Sequence, residues 1–184
     1  IRYKSTYIPN GVQIQPFTHM PSHQKICHAC RLDHRHAALA LSIIKEVVPV
    51  LGARHPGFVY RLIGEGEAFH AVRTEAEKTN RRLGYMAVEL TGFIENVLEV
   101  YRDASMVIGV GRVALEALAH GVPVFCMNHR HQGGMVSLYN YGYLKNRNFV
   151  DCDAPAPVPA AIVEEAERCI ETMPCRLVEA RLLK

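Results

Sequence analysis

The residues best suited to chemistry lie between Ser105 and Cys126, in the run Ser-Met-Val-Ile-Gly-Val-Gly-Arg-Val-Ala-Leu-Glu-Ala-Leu-Ala-His-Gly-Val-Pro-Val-Phe-Cys. Gly109 and Gly111 break a short apolar run. A helix is expected from Arg112, with Val113, Leu115 and Ala119 at helical spacing and Glu116 and His120 on other faces. The first amides of such a helix, at Arg112, Val113 and Ala114, have no intrahelical acceptor. An end of this kind attracts anions, most often phosphate.

The elements around this turn must hold it in place. Met106–Ile108 reads as a buried parallel strand, Gly121 stops the helix, and Pro123 to Cys126 begins a second strand, which completes a βαβ unit. Upstream, the pattern predicts strands at Lys25–Cys30, Phe58–Ile63 and Met86–Leu90. Helices are expected over roughly 35–54, where Pro49 kinks or ends the run, over 67–82, and briefly near Val97 to Tyr101. Downstream, a helix is expected from Met135 to Leu144, a last short strand at Asn148–Cys152 and a stiff Ala154-Pro155-Ala156-Pro157 linker. Pro159 opens a further helix that Pro174 ends, and residues 176–184 form a terminal helix. Tyr7 and Ile8 are a candidate strand, followed by a Pro9–Val12 turn.

Strand and helix alternate at least four times, the mark of an α/β fold: a Rossmann-like parallel sheet with helices on both faces. Residues 1–23 read as a lead-in and 24–184 as the domain, with a C-terminal helical segment from about 159. The loops at 30–35, 64–66, 92–93 and 109–112 all follow strands, so they should meet at one edge of the sheet, where such folds bind small molecules.

Composition narrows the function. A formal charge of +3, not gathered into runs, gives no electrostatic footing for a nucleic-acid partner. No apolar run is read as membrane-spanning and no signal peptide is visible, which points to the cytoplasm. The chain opens at Ile1 without a Met, so it is expected to be a piece of a longer protein. Six Cys without regular spacing suggest free thiols.

Three motifs are weighed and set aside. Cys27-His28-Ala29-Cys30 has redox spacing, yet the pair would lie largely in a strand with one thiol toward each layer. His34, His129 and His131 are not at zinc-ligand spacing, so no metal is expected. Gly109-x-Gly111-x-x-Ala114 matches a dinucleotide fingerprint, but Asn128 and His129 stand where that site needs an acid. The Asn128–Gly134 loop, with Arg130 and two His, reads either as a phosphate or sugar clamp or as a flexible surface loop.

With the loops placed, the chain resembles the C-terminal, donor-binding domain of GT-B retaining glycosyltransferases of the family-four (group 1) type. Ile8-Pro9-Asn10-Gly11-Val12 resembles the linker into that domain, Arg31-Leu32 the "GRL" motif with Cys30 in place of glycine, and Leu62-Ile63-Gly64-Glu65-Gly66 the "LIGEG" motif. Leu90-Thr91-Gly92-Phe93 is similar to "LTGF", and Leu115 to Val124 to "LEAMAxGxPV".

The resemblance implies a nucleotide-diphosphate sugar as donor substrate, no cofactor, and no catalytic metal. It implies that Arg31 reaches the diphosphate, that Glu116 accepts from the ribose, and that amides at Gly111 to Ala114 hold phosphate or sugar oxygens. Phe93 and Ile94 would lie near the base, with Gly64 and Gly66 in the same site. His36 stands where the family has Lys, and Ile108 where it has an acid; Arg112 is expected to supply diphosphate contacts instead. The acceptor domain is missing, so the isolated domain is expected to be inactive. Any peripheral membrane association, at the inner face in glycan or polysaccharide synthesis, would fall to that missing half. Two rival readings are a degenerate, non-catalytic domain and a GT-B sugar-nucleotide epimerase, the latter disfavoured because its glycine-serine-rich loops are not seen.

Overall fold

A computed structural model describes residue 12 and residues 24–171 of the 184. The expected Tyr7–Ile8 strand, the Pro174 stop and the helix at 176–184 lie outside them. Six strands form one sheet in the order β3-β2-β1-β4-β5-β6. They are β1 (Lys25–Ala29), β2 (Val59–Ile63), β3 (Val88–Gly92), β4 (Met106–Ile108), β5 (Val124–Met127) and β6 (Gln132–Met135). The first five pair in parallel.

Alternation along the strands divides the core into two layers. Ile26, Tyr60, Leu62, Met106 and Phe125 face the helical run 36–54, α3 (Phe69–Leu83) and α7 (Ala160–Glu171). Cys27, Ile63, Val107, Val124 and Cys126 face α4 (Val97–Tyr101), α5 (Arg112–Ala119) and α6 (Tyr141–Asn146). The result is the Rossmann-like α/β layering expected, with helices on both faces.

Several expectations need correction. Pro49 does not end its helix. The run is α1 (His36–Ser42), a π-helical turn Ile43–Val47, and α2 (Val48–Arg54), with Pro49 in the first turn of α2. The wider turn, in which the Val48 N–H donates to Ile43 O, absorbs a residue that can donate nothing. This run is also long and apolar enough to cross a membrane, contrary to expectation. Its Leu39, Ile43, Ile44, Val47 and Leu51, however, form the middle of the first core layer, which makes it the core helix of a globular domain.

The sheet is not wholly parallel. Gln132–Met135, expected as the end of a loop with the helix starting at Met135, turns back as β6, antiparallel to β5. Gly133 allows this, because Cys126, Leu144 and Asp151 stand 3.3–3.5 Å from where its Cβ would be. The helix begins only at Tyr141, after Asn140 accepts from the Ser137 N–H at 2.7 Å and donates to Met135 O at 2.8 Å.

The strand expected at Asn148–Cys152 is absent. Asn148 and Phe149 take left-handed conformations (φ 53° and 58°), which ends α6 and drops Phe149 into the second core layer. Two consecutive residues of that hand cannot belong to a strand.

Candidate functional site

Strand order reverses between β1 and β4, and the crevice at their carboxyl ends is the switch point where doubly wound sheets hold ligands. The loops that form its floor are joined backbone to backbone. The Cys30 N–H donates to Ile63 O, Leu32 to Glu65 O, Ala68 to Leu32 O and Gly64 to Gly92 O, at 2.8–3.1 Å. This close approach explains two glycines. At Gly64 (φ +139°) a Cβ would stand 2.0 Å from Cys30 O, and at Gly66 (φ +155°) 2.5 Å from the Leu32 backbone.

Two cavities meet over this floor. The first, of about 570 Å³, is lined by Arg31, Gly64, Phe93, Ile94, Val97, Arg112 and Val113 among others. Ile94, Val97 and Val113 give it an apolar wall, while Phe93 stands exposed at the rim. The second, of about 460 Å³, is lined by His28, Arg31, His36, Gly109, Val113, Asn128 and His129 among others. Ala29, Cys30, Arg31 and Val113 belong to both, so they form the partition.

The turn between β4 and α5 has the tightness its sequence implies. Gly111 (φ 59°, ψ −128°) has a conformation suited to glycine, and at Gly109 a Cβ would fall 2.3 Å from a Val113 methyl. Gly111 donates to Asn148 O at 2.9 Å and accepts from the Leu115 N–H at 3.1 Å. Among the described residues no side chain caps α5, so the amides of Arg112, Val113 and Ala114 have no intrahelical acceptor, and Arg112 and Val113 line the crevice. The Ala114 side chain itself is buried in the core.

Glu116 lies one turn further on, 15% exposed, and its carboxylate accepts from Arg112 Nε at 2.6 Å. It is therefore a largely shielded, paired carboxylate. Arg31 is exposed and has no ion pair among the described residues. His36 lines the second cavity: its Nδ1 lies 2.8 Å from Asp33 Oδ2 and its ring meets His129 edge-on at 4.4 Å. Asp33 also accepts from the Arg35 and His36 amides at 3.0 Å. These hydrogen bonds, the His36 amide's foremost, push its carboxyl down to about 2. The structure thus gathers Arg31, Gly64, Phe93, Ile94, Arg112 and Val113 around one cavity. It puts His36 in the next, leaves Gly66 beneath the floor, and places Glu116 behind Arg112.

Residues the sequence did not single out complete the second cavity. His28, in β1, is buried and shares a 2.7 Å hydrogen bond with Tyr60 Oη. Burial, helped by His36, lowers its pKa to about 4. The signal was a polar residue inside an apolar strand, easily read as part of the Cys-x-x-Cys run. Burial pushes both thiols of that run up to about 12, and the Cys27 Sγ donates to Val100 O, so neither is poised as a thiolate.

His28 makes a pH test available. The unfolded chain protonates His28 near its ordinary 6.5 and the folded chain only near 4, so stability must fall as pH drops through that window. His120 and His129, both shifted down mainly by burial, act in the same direction. Asp33 acts separately, its contribution being lost between 3.8 and about 2. Thermal melts across this range should show the decline, and His28→Gln, which keeps a partner for Tyr60, should flatten it. An unchanged slope would mean that His28 is accessible to protons in the folded state.

The sheet and its switch-point crevice define a Rossmann-like α/β domain. The family described as Glycosyl transferases group 1 matches residues 23–168, and the chain belongs to it. Its fold is that of one half of a GT-B enzyme. It is similar to the C-terminal domain of a group 1 glycosyl transferase family protein (LpcC) from Francisella tularensis, with a TM-score of 0.56 and 17% identity over 88% of this chain and 83% of that one. Anabaena HepE in complex with UDP gives 0.57 at 18% identity, over 86% and 42%. A TarM variant from S. aureus, in complex with Fondaparinux, alpha-GlcNAc-glycerol and UDP, gives 0.52 at 16% identity, over 94% and 36%. At these identities the likeness is one of fold, and the chain spans well under half the length of HepE and TarM. No curated protein matches it in sequence.

Proposed function

We propose that this domain binds the nucleotide-sugar donor of a retaining, metal-independent glycosyltransferase whose acceptor-binding half lies outside these residues. One observation carries the reading: Arg31 and the uncapped end of α5 converge on a cavity with an apolar far wall, at the sheet's switch point. A nucleoside diphosphate needs this combination. The base packs against Ile94 and Val97 near Phe93, and the ribose hydroxyls donate to Glu116. The diphosphate lies between the Arg31 guanidinium and the amides of Arg112–Ala114, and the sugar extends past the partition into the second cavity, toward His36. The complexes of HepE and TarM with UDP support this direction of reading.

The chemistry follows from charge. As the bond from the anomeric carbon to the diphosphate breaks, negative charge grows on the leaving oxygen, where fixed cations and amide dipoles stabilise it without reorganising. Arg112 has a second part. Its pair with Glu116 must open for the ribose to bind, and the arriving diphosphate offers the guanidinium a stronger partner.

Calorimetric titration with UDP, GDP and ADP tests the reading; no binding of any of them at millimolar concentration would sink it. Glu116→Ala should weaken the bound nucleotide about tenfold, the worth of a charge-assisted hydrogen bond. Its melting temperature should hardly move, because an i,i+4 pair with so exposed a partner contributes only about 0.5 kcal/mol. Intact affinity with a large loss of stability would make Glu116 structural.

A second reading, a domain that binds nucleotide without catalysis, is favoured by Ile108. That residue is fully buried in β4 where the family's sugar-gripping acid is expected. Release of nucleotide from a nucleotide sugar by the full-length protein would decide against it.

A further inference from the structure

Beside the second cavity lies a cleft of about 590 Å³ that the donor reading does not use. It runs between the turn leading into α1 and the β5–β6 hairpin, and shares His36, Asn128, His129 and Val150 with the second cavity. Each of its two acids lies against a histidine, Asp33 against His36 at 2.8 Å and Glu67 against His34 at 3.3 Å, and Asp33 also accepts from the Arg35 and His36 amides. Its two guanidiniums, Arg35 and Arg130, are exposed and have no ion pair among the described residues. His129 belongs to the wall the cleft shares with the second cavity, and among the described residues neither of its ring nitrogens, both shielded from solvent, is hydrogen-bonded. The residue is half-buried, and a shielded ring N–H without an acceptor is costly unless a ligand supplies one.

The hairpin tip is held rather than loose. The Asn128 side chain accepts from the Arg130 and His131 amides at 2.7 and 2.9 Å, and the Asn128 N–H donates to His131 O. Arg130 is thus anchored at its backbone opposite the turn that carries Arg35.

We propose that this cleft is an anion subsite, distinct from the donor cavity, that takes a phosphate group through Arg35, Arg130 and His129. Two forked cations and a neutral imidazole donor match the oxygens of a phosphate dianion. Opening into the cavity assigned to the donor sugar, the subsite would seat a phosphate carried by the acceptor; that last step rests on the donor reading, whereas the anion site does not.

The test titrates inorganic phosphate into the chain, alone and saturated with UDP, following backbone amides by heteronuclear NMR. Phosphate should shift residues 34–36 and 128–131 in both arms, with millimolar affinity that weakens several-fold as salt rises. The Arg35→Ala/Arg130→Ala variant should lose phosphate binding about tenfold, the worth of a charge-assisted contact. It should keep its UDP affinity and, since both side chains are exposed, its melting temperature. Cleft shifts that vanish once UDP is saturating, phosphate that binds the double variant unchanged, or a titration that shifts no residue of the cleft overturns the subsite. Phosphate binding lost with the arginines in a chain that ignores UDP would uphold the anion site and remove only its assignment to an acceptor.

Discussion

Gly64→Ala is expected to destabilise the domain by about 4 kcal/mol, a large share of the stability of an ordinary domain. Two effects add. The backbone at Gly64 sits at φ +139°, a region L-residues scarcely enter, and the new methyl would lie 2.0 Å from the Cys30 carbonyl oxygen. Neither neighbour can yield, because Cys30 is bonded to Ile63 and Gly64 to Gly92 through their backbones. Melting should fall by roughly 10 °C, and nucleotide binding should suffer with it, since Cys30 and Arg31 form the partition. Gly84→Ala is the control. Gly84 is also left-handed (φ +78°), but nothing stands within 4 Å of its missing Cβ. It should cost about 1 kcal/mol, the conformational term alone. Equal losses at the two sites would show that the loops part easily and that the floor of the crevice is soft.

The second large effect is expected at Arg31. Arg31→Ala should weaken UDP by about 10- to 100-fold, the range for a charged group losing its hydrogen bonds to a diphosphate. Uridine, which has no phosphate, should bind both proteins alike. Folding should be indifferent, because the side chain is exposed and without an ion pair among the described residues. Arg31→Lys should recover part of the loss, restoring charge but not the planar fork. A variant that loses uridine as much as UDP would place Arg31 against the nucleoside instead.

How far the sequence foretold these sites depended on the kind of signal. The parallel core was legible because buried strands such as Met106–Ile108 stand out as apolar runs bounded by glycine. The convergence of loops followed from topology alone, since every loop after a parallel strand leaves by the same edge. The hairpin at Gln132–Met135 was not legible. Its residues lack the apolar alternation of a strand, and only the packing of Gly133 against Cys126 and Leu144 explains it. Pro49 misled for a related reason: a proline says that a hydrogen bond is lost, not that a π turn will absorb the loss. The family's motifs pointed to Arg31 and Glu116, but they could not show that Arg112 already holds the Glu116 carboxylate. Nor could they show that Gly66 serves the floor rather than a lining, because both depend on distances between segments far apart in the chain.

The reversal at β6 bears on how the domain could be retargeted. A sixth parallel strand would have tied this side of the crevice to another crossover helix. The hairpin instead ends the sheet with a short tip, Asn128–His131, joined to its strands at both ends and braced by one carboxamide. Such tips tolerate exchange and insertion far better than crossovers do. Grafting a different tip should therefore alter which molecules reach the crevice while the arginine partition and the βαβ unit remain intact, giving this rim the part that hypervariable loops play on a fixed scaffold.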